Sequence, residues 1–264
     1  MFKEGESNIM DSVLNVSHIE KYFGSNGNAV KVLDDISFEV KPGEFTGIMG
    51  PSGSGKTTLL NCISTIDMVS SGNIELGGND ITLLKEKELA KFRRDNIGFI
   101  FQDYNLLDTL TIKENIELAL SAARVPFDEA EERIRKITEE LEIDSILHKF
   151  PAEVSGGEKQ RCACARAIVN NAKVVLADEP TGALDSHSSM KLLQLFEKMN
   201  NSMNVTILIV THDVFTASYA KRILFLKDGR IFTEIRKGSK KRREFFNEIL
   251  DVMVMLGGGF IDVR

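Results

Sequence analysis

Short apolar runs bounded by glycine or charge are separated by stretches with helical spacing, and this order predicts an α/β domain. Glu44-Phe45-Thr46-Gly47-Ile48-Met49 reads as a buried strand, and Thr57 to Ile63 as the start of a helix. Val174-Val175-Leu176-Ala177 is a second buried run and Val205 to Val210 a third, as expected of parallel strands covered on both faces. Leu14 to Tyr22, Ile36 to Val40 and Asn73 to Leu76 read as short strands of an antiparallel layer. Lys85 to Arg94 predicts a helix, then Ile97 to Phe101 a strand leading into Gln102. Ile112 to Arg124 and Asp128 to Leu141 are amphipathic helices, the second opened by Asp128 with Glu131 three residues on. They form a helical insert that ends at Ser155, in a subdomain of about 103–160. Ile223-Leu224-Phe225-Leu226 with Gly229 begins a terminal hairpin. One domain over 12–236 and a tail over 237–264 follow, with no internal repeat or heptad array.

Composition agrees: 264 residues with 42% hydrophobic content suit one α/β domain carrying a subdomain. Met1 to Asp11 is polar and acidic, so no N-terminal signal is expected, and no apolar run approaches a membrane span. The three cysteines include Cys162 and Cys164, which sit two apart on one helix and favour neither chelation nor a disulfide. They are expected as buried small hydrophobes in a reducing cytosol. Charge is uneven. Arg236, Lys237, Lys240, Lys241, Arg242 and Arg243 carry +6, and removing that from the total of −6 leaves −12 for the rest. An acidic body argues against nucleic acid as the main ligand. After the basic run, Phe246, Ile249, Leu250, Met253 and Leu256 recur at helical spacing before Gly257-Gly258-Gly259. That helix either packs on its own domain or docks near anionic lipid or a partner.

Three motifs carry the chemistry. Gly50-Pro51-Ser52-Gly53-Ser54-Gly55-Lys56-Thr57 fits G-x-x-x-x-G-K-[ST], with Thr58 following. Its glycines let backbone N–H groups cradle phosphate oxygens, Lys56 meets the β- and γ-phosphates, and the Thr57 hydroxyl can bind Mg²⁺. Asp178 and Glu179 emerge at the C-terminal end of a buried strand, where open α/β sheets place ligands. Asp178 can hold the metal through water and Glu179 can polarise an attacking water. Ser155-Gly156-Gly157-Glu158 precedes a helix through Ala163 to Ile168, an anion site at a helix N-terminus with Ser155 also suited to capping it.

Together these residues resemble the ATP-binding subunit of ABC transporters, from about Leu14 to Ile235. The resemblance implies a P-loop NTPase with a RecA-like parallel core. It implies that the Ser155 loop binds the γ-phosphate of ATP held by a second copy in a head-to-tail dimer. Tyr22 matches the aromatic that stacks on adenine, and Gln102 the glutamine linking metal to the transmembrane permease. His212 matches the histidine at the γ-phosphate, and Leu184-Asp185 the loop after the catalytic strand. The catalytic set is therefore Glu179, His212 and Lys56, and the metal set Thr57, Gln102 and Asp178. Val154 stands where leucine is usual and Glu158 where glutamine is usual. ATP preference is inherited from the family, since no Asn-Lys-x-Asp guanine-reading motif is present.

About 100 residues between Lys56 and Ser155 leave no room for the long coiled coil of DNA-repair relatives. An iron–sulfur assembly ATPase and a nucleotide-gated scaffold are the competing readings, the second disfavoured by an intact Glu179 and His212. Within the transporters, Asn105-Leu106-Leu107, Pro151-Ala152-Glu153 and Glu179-Pro180-Thr181-Gly182-Ala183-Leu184-Asp185 resemble the group of lipoprotein-release, cell-division, macrolide-export and bacitracin-type ATPases. The tail with Phe245-Phe246, Ile249-Leu250-Asp251-Val252 and Leu256-Gly257-Gly258 is most similar to the bacitracin-type branch. That branch implies antimicrobial-peptide resistance, a place on the cytoplasmic face of the membrane, and a sensor kinase reached through the permease.

Overall fold

Among the described residues of the computed structural model, 12–24, 29–101 and 103–257, ten strands sort into two sheets. The first is antiparallel in the order β2-β1-β4-β5, built from β1 (Leu14–Phe23), β2 (Val30–Val40), β4 (Ser71–Leu76) and β5 (Asn79–Asp80). The second has six strands in the order β10-β9-β3-β8-β7-β6: β3 (Phe45–Met49), β6 (Ile97–Ile100), β7 (Val174–Asp178), β8 (Ile207–Val210), β9 (Arg222–Lys227) and β10 (Arg230–Arg236). All its neighbours run parallel except the β9–β10 hairpin.

Period-two alternation divides the parallel strands between two cores. Ile48, Val174, Leu176, Leu208, Val210, Leu224 and Leu226 face α1 (Lys56–Ile63) and the antiparallel sheet. Phe45, Met49, Val175, Ala177, Ile207, Ile209, Ile223 and Phe225 face the helical side. Both faces are covered, which is why these strands are largely apolar, with Thr46 of β3 a buried polar exception. The helical side comprises α3 (Ile112–Ala122), α4 (Phe127–Glu140), α5 (Gly156–Ile168) and α6 (Ser186–Met203). Cys62, Cys162 and Cys164 are all buried and free, and burial pushes the Cys62 thiol up to about 12.

Several boundaries differ from expectation for identifiable reasons. β2 starts at Val30 rather than Ile36, because the outer part of the hairpin is held by backbone pairing and by ion pairs rather than by apolar burial. Tyr22 pairs with Lys31 and Phe23 with Val30, while the Lys31 ammonium meets Glu20 at 2.6 Å. α2 (Glu86–Asn96) begins one residue later than Lys85 and runs two past Arg94. Asp128 does not cap α4: Pro126, with φ fixed near −57°, starts that helix at Phe127, so Asp128 and Glu129 fall in its first turn. The capping box appears one helix earlier, where Glu114 accepts the Thr111 N–H at 2.7 Å.

The last helix, α8 (Arg242–Leu256), lies against its own domain. Phe245, Ile249 and Leu256 are buried in the helical-side core, with Val252 and Met253 packed against it. The buried stripe is therefore 245, 249, 252, 253 and 256; Leu250 is 43% exposed. Part of the basic run is paired internally. Arg242 chelates the Glu197 carboxylate at 2.8 Å and lies 3.8 Å over the Tyr219 ring, and Lys240 meets Glu248 at 2.5 Å.

Candidate functional site

In the order β3-β8-β7, three parallel strands deliver three loops to one edge of the sheet. The loop leaving β3 turns at Gly50 (φ +156°), where a Cβ would stand 2.2 Å from the Leu226 carbonyl oxygen. It closes at Gly55 (φ +101°), where a Cβ would meet Leu33 Cδ2 at 2.9 Å and the Val32 carbonyl at 3.0 Å. No side chain caps the start of α1, so its first N–H groups are left for an anion. The Lys56 ammonium folds over the loop and donates to the carbonyls of Gly50 (2.9 Å) and Pro51 (3.0 Å). Burial holds its pKa below the usual lysine range, opposed by the negative charges of Glu179 and Asp178. The buried Ser54 hydroxyl has no hydrogen-bond partner.

Asp178 ends β7. Burial raises its pKa above the ordinary carboxylate range, Glu179 adds to the rise and Lys56 opposes it. Its Oδ1 is buried without a partner, an arrangement that suits a metal-bound water. No group of three or more His, Cys, Asp or Glu converges among the described residues. A cation here would be held as Mg²⁺ commonly is, by one carboxylate, the Thr57 hydroxyl and ligand phosphates.

Glu179 follows in a left-handed turn, φ +43°. Its Oε2 accepts from the Thr211 hydroxyl at 3.0 Å. Its Oε1 accepts from the His212 backbone N–H at 3.0 Å and lies 2.6 Å from His212 Nδ1. The His212 ring is thereby oriented with Nε2 free. Glu179 and His212 share a cleft of about 830 Å³ with Gly50, Pro51, Ser52, Gly53, Gly55, Lys56, Thr57 and Thr58. That volume is within the range of small-ligand sites. Val32 of the antiparallel sheet and Met253 of α8 complete the wall.

Other expected residues stand elsewhere. Tyr22 is exposed on β1 and is not part of the cleft lining. Gln102 lies outside the described residues. Ser155, Gly156, Gly157 and Glu158 are also absent from the lining. They open α5, where Glu158 accepts from the Ser155 N–H (2.7 Å) and hydroxyl (2.6 Å). Arg166 of α5 donates to the carbonyls of Tyr104 (2.8 Å) and Asn105 (2.5 Å), so residues 104 and 105 are tied to the helix that follows the Ser155 motif. The Ser155 segment and the phosphate-loop cleft are therefore separate within one chain.

The Ser155 hydrogen bonds hold the Glu158 pKa below the usual carboxylate range. The folded state therefore binds that proton more weakly than the unfolded chain. The contribution is present above the unfolded value of about 4.3 and lost as pH falls through the lower folded value. Glu158→Ala should lower Tm by roughly 2–4 °C at neutral pH, as a cap worth about 1 kcal/mol does in a chain this size. The gap should narrow in acid, as pH falls below the unfolded value. Melts of both chains showing the same gap at neutral and acid pH would remove charge from the explanation.

A family model described as ABC transporter matches residues 33–182. The chain belongs to the ABC transporter family. The match covers the phosphate loop, the signature and the Asp178-Glu179 pair, so this chain is an ATP-binding cassette of that family, an ATPase of P-loop NTPase fold. It is 49% identical to the bacitracin export ATP-binding protein BceA of Halalkalibacterium halodurans, over 94% of this chain and 98% of that protein. It is 39% identical to the macrolide export ATP-binding/permease protein MacB of Aggregatibacter actinomycetemcomitans, over 87% of this chain and 36% of that longer protein. Among solved structures, a dimeric post-hydrolysis state of the cassette MJ0796 bound to ADP and Pi superposes with a TM-score of 0.75 at 37% identity. The likeness covers 84% of this chain and 98% of that one.

Sequence reasoning missed Thr211, which holds Glu179, and Met253 of the cleft wall. An Asp-x-x-Thr signature at Asp213 signals a helix cap and was legible. Nothing in the sequence pattern brings Met253 to the cleft.

Proposed function

We propose that this chain binds ATP and Mg²⁺ and hydrolyses ATP to drive a membrane transporter acting in antimicrobial-peptide resistance. The observation that carries the ATPase chemistry is the convergence of Lys56, Glu179 and His212 on the phosphate loop. The 49% identity to a bacitracin export ATP-binding protein along 94% of the chain supports the branch. Lys56 and the loop N–H groups bind the β- and γ-phosphates, and Tyr22 stacks on adenine. Thr57, Asp178 and Gln102 would hold Mg²⁺, which would supply neutralisation of phosphate charge. Glu179 takes the proton of the attacking water, and His212 Nε2 meets the γ-phosphate. No described helix is long and apolar enough to cross a membrane. The chain works at the cytoplasmic face of the membrane, bound to a permease. The sensor kinase joins through that permease. With the Ser155 segment of this chain outside its own phosphate-loop cleft, a second copy turned head to tail completes each ATP site.

Mixing tests that geometry. A Lys56→Ala chain and a Ser155→Arg chain should each be inactive alone. Mixed, they should recover part of the ATPase activity, because a heterodimer has one site with intact loop and signature and another with both lesions. Absence of recovery when heterodimers are demonstrated by differential tagging would count against sharing. Co-purification of the tagged chain with its membrane subunit, followed by ATPase stimulation by a bacitracin-class peptide, tests the branch; stimulation by a lipoprotein instead would overturn it.

A further inference from the structure

A run of hydrogen bonds, closed through the backbone of residues 179–181, ties the turn after β7 to the turn after β8. Thr211 Oγ1 donates to Glu179 Oε2 at 3.0 Å and accepts from the Asp213 N–H at 3.0 Å. The Asp213 carboxylate caps the short helix α7 (Val214–Ala217), accepting from the N–H groups of Phe215 at 3.1 Å and Thr216 at 2.8 Å. Its Oδ2 also accepts the Thr216 hydroxyl at 2.5 Å. Thr216 Oγ1 lies 3.0 Å from Thr181 Oγ1, and Thr181 is two residues beyond Glu179. The circuit returns to its start.

The proton directions follow by elimination. A hydroxyl has one proton to give. Thr216 gives its proton to the Asp213 carboxylate, the stronger acceptor, so Thr181 must donate to Thr216. Thr211 gives its proton to Glu179. The Thr211 and Thr216 protons thus point to the two carboxylates, and the Thr181 proton points to Thr216 Oγ1. Thr211 and Thr216 are fully buried, so water does not compete for these bonds.

The circuit acts on a residue that needs holding. Glu179 occupies a left-handed backbone conformation, which non-glycine residues keep where the surroundings impose it. Its neighbour on the other carboxylate oxygen is His212, which belongs to the turn at the far side of the same circuit. We propose that Thr216, acting through Thr181 and Asp213, is a positioning residue for ATP hydrolysis that locks Glu179 and His212 into one geometry. This rests on the reading of Glu179 as the group that accepts the water proton.

Steady-state ATPase measurements on the full-length chain test it. Thr216→Val removes the hydroxyl at nearly constant volume. kcat should fall about tenfold, a loss on the scale that small misplacement of a reacting group produces. KM for ATP and the affinity for a fluorescent ATP analogue should stay within about twofold, because the phosphate loop is untouched. Thr216→Ser should restore kcat. Thr181→Val, at a half-buried position where folding is less at stake, should show the same split. The double valine variant should be no worse than the worse single one, since both break one link.

Wild-type kcat in Thr216→Val and Thr181→Val would overturn the proposal. So would a loss carried by KM and nucleotide affinity, failure of serine to rescue, or additive losses in the double variant. Failure of the underlying reading shows separately, as full turnover in Glu179→Gln with both threonines intact.

Discussion

Glu179→Gln should cut ATP turnover by roughly 10²-fold or more and leave ATP binding intact. The substitution is close to isosteric. The amide oxygen can still take the His212 N–H, and the amide nitrogen can donate to Thr211 Oγ1, which now accepts one hydrogen bond and has capacity for another. What is lost, on the proposed mechanism, is the group that accepts the water proton. Because the phosphate loop and the signature are unchanged, the chain should accumulate as an ATP-bound dimer visible on gel filtration. Turnover within about twofold of wild type would remove Glu179 from the proton-accepting role.

Phe245→Ala should lower stability by about 3–5 kcal/mol, the usual loss for a fully buried phenylalanine, which corresponds to a Tm drop of roughly 10 °C. Phe245 has no exposed surface and lies in the core shared with the helical side of the parallel sheet. Leu250→Ala, on the exposed face of the same helix, should change stability by less than about 0.5 kcal/mol. Thermal melts of both variants separate the two placements of α8 that the sequence allowed. A small shift for Phe245→Ala, together with weakened and salt-sensitive recovery of the membrane subunit, would instead support a docking role. The internal pairing of Arg242 with Glu197 and of Lys240 with Glu248 already engages part of the charge that a docking surface would use.

The sequence by itself determined the elements whose physics is local. The phosphate loop was legible because a glycine at Gly50 and another at Gly55 answer to backbone approach, which spacing alone reveals. The strands β3, β7 and β8 were legible because burial on both faces leaves them almost wholly apolar, Thr46 being the one polar residue inside them and Asp178 ending β7. The Asp178-Glu179 pair and the Ser155 cap were readable for the same reason, each being set by a strand end or a helix start.

Tertiary structure decided what depends on which distant segments meet. The outer part of β2 is anchored by cross-strand pairs and ions, so its apolar pattern is silent. The stripe on α8 could face a partner or its own core, and an amphipathic helix has the same sequence in either case. The sheet order β3-β8-β7 sets the turns of Lys56, His212 and Glu179 side by side, although residues 57–178 intervene between the first and the last. The Thr181–Thr216 bond and the Met253 wall likewise exist only once those turns and α8 are packed together. Side-chain identity sets what each residue can donate or accept, but the order of parallel strands sets which residues come within 3 Å of one another.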